Sequence, residues 1–251
     1  MRITFPDLIA DAWRLWREDS ETLTAITGLF IFLPVLALAL LVQPTLVAAT
    51  RGIDPKDAER VLNVWLDALS GQMHWVVLAQ AATHFGTLTA TILYLDRDRL
   101  DVRAALRRAL GWLPFYLLAM VLVSLVSIPG LLLFVIGYFY LFARMALTGP
   151  VMIAERQPNP LAAIARSFAL TRHHGFTMTG TVMTVLLAGF VAQWPFSAID
   201  QWMDLNAPNP IARGIVDIGG AAVAALGGLA LVLVQIAAYR RLADQPGLRT
   251  R

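Results

Sequence analysis

Two residues of opposite charge, Arg144 and Glu155, lie on either side of an apolar stretch in the middle of the chain, 11 positions apart. That spacing is close to three helical turns, so one uninterrupted helix would place them on a common face. The rise of that helix separates them by about 16 Å, which is too far for a direct bond. One interpretation is a binding pocket for a lipid headgroup, formed by Arg144, Glu155, Arg166, Ser167 and Arg172. The other is separate anchoring, in which Arg144 binds a phosphate or a carbonyl and Glu155 pairs with Arg166 or Arg172.

A second polar pattern is a stripe on one helix face, formed by Gln80, His84, Thr87 and Thr91. In lipid we expect such a stripe to turn inward and to bond to neighbouring helices. His84 lies near the middle of its apolar segment, where an imidazole suits a proton relay. The alternative is a packed, hydrogen-bonded interior stripe without any role in transport.

The last apolar segment contains small residues at intervals of four, Gly220, Ala224 and Gly228. Small residues at this spacing let two helix backbones approach closely, so they predict helix packing inside a bundle or at a dimer interface. Asp217 precedes them, and one interpretation, which we do not favour, pairs it with His74 at the same end of the bundle.

Catalytic motifs are absent from the sequence. It contains no HExxH, no Gly-x-Ser-x-Gly and no phosphate-binding glycine loop. It also has no cysteine, which excludes disulfides and thiolate ligands. We therefore predict a non-enzymatic protein with no catalytic residue, no metal site and no cofactor.

The composition indicates whether the surface of the protein faces water or lipid. Of 251 residues, 58% are hydrophobic and only 15% are charged, whereas soluble proteins average about 25% charged residues. The chain has too few charged residues to form the surface of a water-soluble protein. The mean hydropathy of +0.65 agrees with a surface that faces lipid. The net charge is +3, but the arginines form no basic patch on a soluble module, so we predict no nucleic-acid partner.

Six apolar segments are long enough to span a bilayer, which takes roughly 20 residues. They cover about residues 24–48, 73–95, 112–128, 131–146, 176–196 and 211–238. Pro129 and Gly130 predict a tight turn between the third and fourth segments. In the outer loop at 51–72, Asp54 and Pro55 predict the start of a short surface helix. We expect the outer loop at 198–210 to lie at the headgroup level.

The distribution of positive charge predicts the orientation. If the N-terminus is cytoplasmic, the inner loops hold 16 arginines, and the outer loops hold only Arg51, Lys56, Arg60 and Arg213. Because cytoplasmic loops carry the excess of positive charge, we predict that both termini are cytoplasmic.

Three stretches before the odd-numbered spans have the apolar period of an amphipathic helix, at residues 5–18, 100–110 and 160–172. Such helices are expected to lie in the membrane plane, with arginines facing lipid phosphates. The predicted fold is a single all-α membrane domain over residues 1–251. It consists of six transmembrane helices in three hairpins, and each hairpin is preceded by a cytoplasmic amphipathic elbow helix.

Several short strings carry a resemblance to a known bacterial group. They are Pro150-Val151-Met152-Ile153-Ala154-Glu155, then Pro160, Ala163, Ser167, Leu170 and Thr171-Arg172, with Arg144 upstream and Tyr239-Arg240-Arg241-Leu242 near the end. The chain resembles the glycerophosphodiester-phosphodiesterase membrane-domain family and the YciC-like inner-membrane proteins. The resemblance implies a multi-span helical domain of a bacterial inner membrane with no well-defined biochemical role. The phosphodiesterase of the family name is a separate soluble barrel, so its activity is not carried over to this chain. One departure is Arg240, which stands where the family has an acidic residue.

Three classes of function are compatible with these patterns. The first is handling or sensing of membrane lipids through the basic elbows and Arg144. The second is transport of a small solute or ion along the stripe that contains His84. The third is assembly with a partner in a membrane complex, and the oligomeric state stays open in all three.

Overall fold

The computed structural model describes residues 3–54, 56–98, 100–206 and 209–244, and these residues form helices and loops without a β-strand. Helix α1 is a separate amphipathic helix at Phe5–Glu18. An interrupted helical segment follows, with α2 at Ser20–Thr27, a π-helical turn at Gly28–Phe32, α3 at Leu33–Leu41 and α4 at Gln43–Thr50. The remaining helices are α5 at Ala58–Leu95, α6 at Val102–Ser127, α7 at Phe134–Met145, α8 at Thr148–Ala154, α9 at Pro160–Leu170, α10 at Gly175–Asn206 and α11 at Pro210–Ala243.

Six stretches of this architecture are long and apolar enough to cross a membrane, as the sequence predicts. They are Ser20–Thr50, Ala58–Leu95, Val102–Gly130, Ile136–Ala154, Gly175–Met203 and Pro210–Ala243. Large apolar side chains such as Leu78, Phe190 and Leu226 are exposed on their outer faces. An apolar surface of this extent is unfavourable in water and favourable in lipid, so the helices indicate a membrane location.

Some helices continue where the sequence predicts a break. The predicted elbow at 100–110 is not a separate helix but the beginning of α6, which Asp101 caps by accepting a hydrogen bond from the backbone N–H of Ala104 at 2.8 Å. Gly111 follows that segment without ending the helix, because a single glycine costs only about 1 kcal/mol in a helix interior. Helix α1 occupies the first predicted elbow segment, and α9 occupies most of the third.

The two predicted outer loops are also shorter than expected. The surface helix predicted in the loop at 51–72 is the beginning of α5, whose N-cap is Asp57 rather than Asp54; Pro55 lies outside the described residues. Most of the loop predicted at 198–210 is helical, because α10 runs to Asn206 despite Pro195 in its interior. Helices of 38 and 32 residues are roughly 57 and 48 Å long, so α5 and α10 extend beyond a hydrocarbon core of about 30 Å.

Two of the spans contain interruptions. In the first span, the π-helical turn precedes Pro34, which donates no backbone hydrogen bond to the preceding turn. In the fourth span, α7 and α8 are separated at Ala146 and Leu147. The turn predicted around Pro129 and Gly130 is part of a 3₁₀-helical segment at Ile128–Leu133.

Helix α11 is central to the bundle, where it contacts α1, α3, α5, α8 and α10. The largest buried cluster lies at one end, where side chains of α1, α8, α9, α10 and α11 meet: Leu8, Met152, Leu170, Met178 and Leu242. We call this the network end; α5, α7 and α11 terminate there. The opposite end, where α5 and α11 begin and α4 and α10 terminate, is called the crevice end.

Candidate functional site

The network end takes its name from ion pairs that connect successive loops. Asp96 and Asp98 lie in the loop after α5, and both form ion pairs with Arg108 of α6, with N–O distances of 2.9 and 2.8 Å. Arg156, in the loop after α8, binds the same two carboxylates at 3.6 and 2.8 Å. Hydrogen bonds from Arg108 and then Arg156 lower the pKa of Asp98 below its ordinary value of 3.8. Two arginines therefore share two carboxylates and join three segments of the chain.

Arg156 has an unusual backbone conformation, with φ of +54° at the end of α8. The N–H of Gln157 donates to the carbonyl of Met152 at 2.9 Å, which is the hydrogen bond that closes a helix at a left-handed residue. Glycine usually occupies such a position, because a side chain there costs roughly 1–2 kcal/mol. The ion pairs of Arg156 are partly exposed to solvent and offset only part of this cost.

A second contact joins the two ends of the chain. Arg241, at the end of α11, pairs with Asp11 of α1 and lies 3.5 Å from Asp7. The hydrogen bond from Arg241 lowers the pKa of Asp11 below 3.8. Next to it, Arg240 donates to the carbonyl of Tyr94 at 2.8 Å, and the Tyr94 hydroxyl donates to Asp19 at 3.0 Å. These contacts hold α1 against α5 and α11.

Glu155 is bound as the separate-anchoring interpretation predicts. Its two carboxylate oxygens accept from Nε of Arg166 at 3.0 and 3.1 Å, which joins the end of α8 to α9. The Tyr239 hydroxyl of α11 donates to the same carboxylate at 3.4 Å. Glu155, Arg166 and Tyr239 therefore meet at one point of the bundle.

Arg144, at the end of α7, is also bound within the protein. Its guanidinium donates to Oγ1 of Thr171 at 2.8 Å, to the carbonyl of Phe168 at 2.7 Å and to the Tyr140 hydroxyl at 3.1 Å. The backbone carbonyl of Arg144 in turn accepts from Ser167 at 2.8 Å. This arginine connects α7 to α9, and most of its hydrogen-bonding capacity is used there.

The five residues predicted to form one headgroup pocket are therefore divided among different contacts. The Ser167 hydroxyl donates to the backbone carbonyl of Arg144, and Glu155 pairs with Arg166. Arg172 is exposed and makes no ion pair within the described ranges. Sequence analysis did not identify Asp96 and Asp98 as partners of Arg108 and Arg156. The alternation of Asp and Arg at residues 96–99 is the signal for this pairing.

Exposed arginines without an ion pair in the described part of the chain remain at the network end: Arg17, Arg97, Arg103, Arg107, Arg172 and Arg240, the last of which donates to the carbonyl of Tyr94. Arg107 borders a surface groove of about 340 Å³ on α6, whose wall is also formed by the ion-paired Arg108 and by Gly111, Trp112, Phe115 and Pro158. Arg103 lies one helical turn before Arg107. The groove thus combines an uncompensated positive charge with an aromatic wall that continues along a membrane-facing helix.

The polar stripe on α5 does not form a continuous interior path. Gln80 is exposed, whereas Thr91 is buried. Thr87 and Thr91 donate to backbone carbonyls one turn earlier in α5, at 3.0 and 2.8 Å, rather than to a neighbouring helix. His84 packs edge-on against the Tyr116 ring of α6, with 5.9 Å between the ring centres.

The small residues of α11 lie against two different neighbours. A Cβ added to Gly220 would be 2.9 Å from Nε2 of Gln193 on α10, so the absence of a side chain permits this approach. Gly228 lies against Ile31 of the π-helical turn, and Ala224 is exposed. Two of the three predicted packing residues therefore contact helices of the same bundle.

Protein-family models, curated proteins and solved structures give no match to this chain. Assignment of a function therefore depends on the chemistry of the two bundle ends.

Proposed function

We propose that this chain is a non-enzymatic, lipid-binding protein of a bacterial inner membrane, with its network end in the cytoplasm. The observation that carries the proposal is the groove on α6, where Arg107 has no ion pair within the described residues and borders Trp112 and Phe115. An arginine beside an aromatic wall suits a phosphate headgroup with an adjoining acyl chain. The resemblance to YciC-like membrane domains agrees with a protein of this kind.

The surroundings of the groove support a position at the headgroup level. Leu118 lies one turn after Phe115 on α6, and both side chains are exposed in the direction in which an acyl chain would run. Elsewhere at the network end, Trp13 is 57% exposed and Phe176 is 87% exposed. Aromatic side chains favour the membrane–water interface, and the uncompensated arginines next to them favour an anionic leaflet.

Anionic lipid retention tests the proposal directly. The Arg103→Gln/Arg107→Gln double variant and the wild type are purified in a mild detergent, exchanged into mixed phosphatidylglycerol and phosphatidylcholine, and analysed by native mass spectrometry. Each arginine near an anionic surface contributes about 1 kcal/mol, so we expect about thirtyfold weaker phosphatidylglycerol binding in the double variant.

The matched control is Arg51→Gln/Arg60→Gln, which removes the same charge from exposed positions at the crevice end. This variant should retain phosphatidylglycerol as the wild type does. Equal retention by all three proteins, or equal retention of phosphatidylcholine by the wild type, would contradict the proposal. Transport of a solute and assembly with a membrane partner are the alternative functions, and neither predicts a loss of lipid specific to Arg103 and Arg107.

A further inference from the structure

A crevice of about 620 Å³ opens at the crevice end, between the α3–α4 segment and helices α5, α10 and α11. Apolar side chains such as Leu46, Trp65 and Leu69 form much of its wall. Its polar part is formed by Gln193, Ser197, Asp200 and Asp217 of α10 and α11, together with Gln43 and Thr50 of α4. A concave site with apolar walls and a few polar groups is the usual form of a small-molecule site.

The charges in this crevice do not balance. Asp200 pairs with Arg213, whose Nη2 donates to Oδ2 of Asp200 at 3.3 Å. Asp217 also lines the crevice but makes no hydrogen bond or ion pair within the described ranges, and it does not meet His74, which lies against Trp75 instead. After Asp200 and Arg213 neutralise each other, one carboxylate charge is left in a largely apolar site.

Gln193 supplies a second uncompensated acceptor. Its Oε1 is buried and accepts no hydrogen bond from any described residue, although a buried polar atom normally has a partner. Asp217 and Gln193 therefore both lack a donor. A ligand with N–H groups and a positive charge would satisfy them.

An apolar groove extends along the helices from the crevice in the direction of the network end. It has a volume of about 280 Å³ and lies between α3 and α5, against Leu29, Leu33, Trp75 and Leu78. Leu38 lines both the groove and the crevice. From Leu38 to Leu29 the groove follows the helix for roughly 14 Å, which provides space for a hydrocarbon chain beyond the polar site.

We propose that the crevice binds an amphiphile with a primary ammonium group, with the ammonium at Asp217 and the hydrocarbon chain in the groove between α3 and α5. This site is at the opposite end of the bundle from the anionic-lipid groove on α6. It also selects the opposite charge. The two proposals therefore depend on different residues and can fail separately.

Because the chain has no cysteine, protection of a single introduced thiol reports occupancy of the crevice. Ser197→Cys places the thiol in the crevice, and Asn63→Cys places it on the exposed face of α5 at the same end. The maleimide reaction rate of each variant is measured in maltoside micelles with dodecylammonium, with dodecanol at the same mole fraction, or with ethylammonium. The ratio of the two rates corrects for changes in micelle charge.

We expect dodecylammonium to slow the reaction of Ser197→Cys relative to Asn63→Cys, and dodecanol and ethylammonium to have much weaker effects. Adding Asp217→Asn should weaken protection by dodecylammonium about fivefold, which is the upper range for a partly exposed ion pair. Adding Asp67→Asn, an exposed carboxylate of the same end, should leave protection unchanged. Equal protection by dodecanol, equal protection by ethylammonium, or insensitivity to Asp217→Asn would each overturn the proposal.

Discussion

At the scale of the residue, the role of each arginine depends on which groups lie within its reach. Arg144 and Arg172 both belong to the predicted headgroup pocket, yet Arg144 binds Thr171, Tyr140 and the carbonyl of Phe168, whereas Arg172 is exposed. Under the separate-anchoring interpretation, the sequence predicted a phosphate or a carbonyl as the partner of Arg144, and Arg166 or Arg172 as the partner of Glu155. It did not show that these contacts leave little capacity for a lipid, because hydrogen-bond partners depend on tertiary packing.

Substitution of the two arginines separates a structural role from a surface role. Arg144→Ala removes three hydrogen bonds and leaves a buried Thr171 hydroxyl and a carbonyl without their donor. We expect the free energy of unfolding to fall by about 2 kcal/mol. The control Arg172→Ala should change it by less than about 0.5 kcal/mol.

Denaturant titration in a neutral detergent measures both variants without a contribution from anionic lipid. Equal stability of Arg144→Ala and Arg172→Ala would show that Arg144 does not anchor α7 to α9.

At the scale of the element, apolar periodicity predicts where helices form better than it predicts where they end. The period of residues 102–113 is continuous with that of the following span, so α6 forms as one helix where the sequence predicted an elbow and a span. The α8–α9 connection is different, because Pro158 and Pro160 disfavour a continued helix. The side chain of Asn159 caps α9 by accepting hydrogen bonds from the backbone N–H groups of Leu161 and Ala162. The left-handed residue of this connection, Arg156, has no sequence signature of the kind that a glycine provides.

The backbone conformation of Arg156 can be tested by comparing two variants that lose the same ion pairs. Arg156→Gly and Arg156→Ala both lose the contacts with Asp96 and Asp98, but only glycine adopts the positive φ without strain. We expect Arg156→Gly to be about 1 kcal/mol more stable than Arg156→Ala, as measured by denaturant unfolding.

Arg172 is the control position, since its φ is not positive. There the order should reverse, because glycine gives the unfolded chain more conformational freedom than alanine. If alanine were also the more stable substitution at position 156, this would contradict a positive φ at the end of α8.

At the scale of the whole molecule, composition predicts the membrane location and the six spans, because both depend on amounts of apolar surface and on helix length. The twelve described arginines of the network end and the four cations of the crevice end follow the predicted asymmetry; Arg2, Arg99, Arg249 and Arg251 lie outside the described residues. The crevice was not predicted from sequence, since its wall combines residues from α3, α4, α5, α10 and α11 that are distant in the chain.

The sidedness of the bundle underlies the proposed function, because an anionic-lipid site among arginines is expected on the cytoplasmic leaflet. The most direct measurement is labelling of single thiols in bacterial spheroplasts with a membrane-impermeant maleimide. Glu59→Cys lies at the exposed start of α5 at the crevice end, and Glu21→Cys lies in the exposed first turn of α2 at the network end. We predict that Glu59→Cys reacts in intact spheroplasts and that Glu21→Cys reacts only after lysis. Reaction of Glu21→Cys before lysis, with protection of Glu59→Cys, would contradict a cytoplasmic network end.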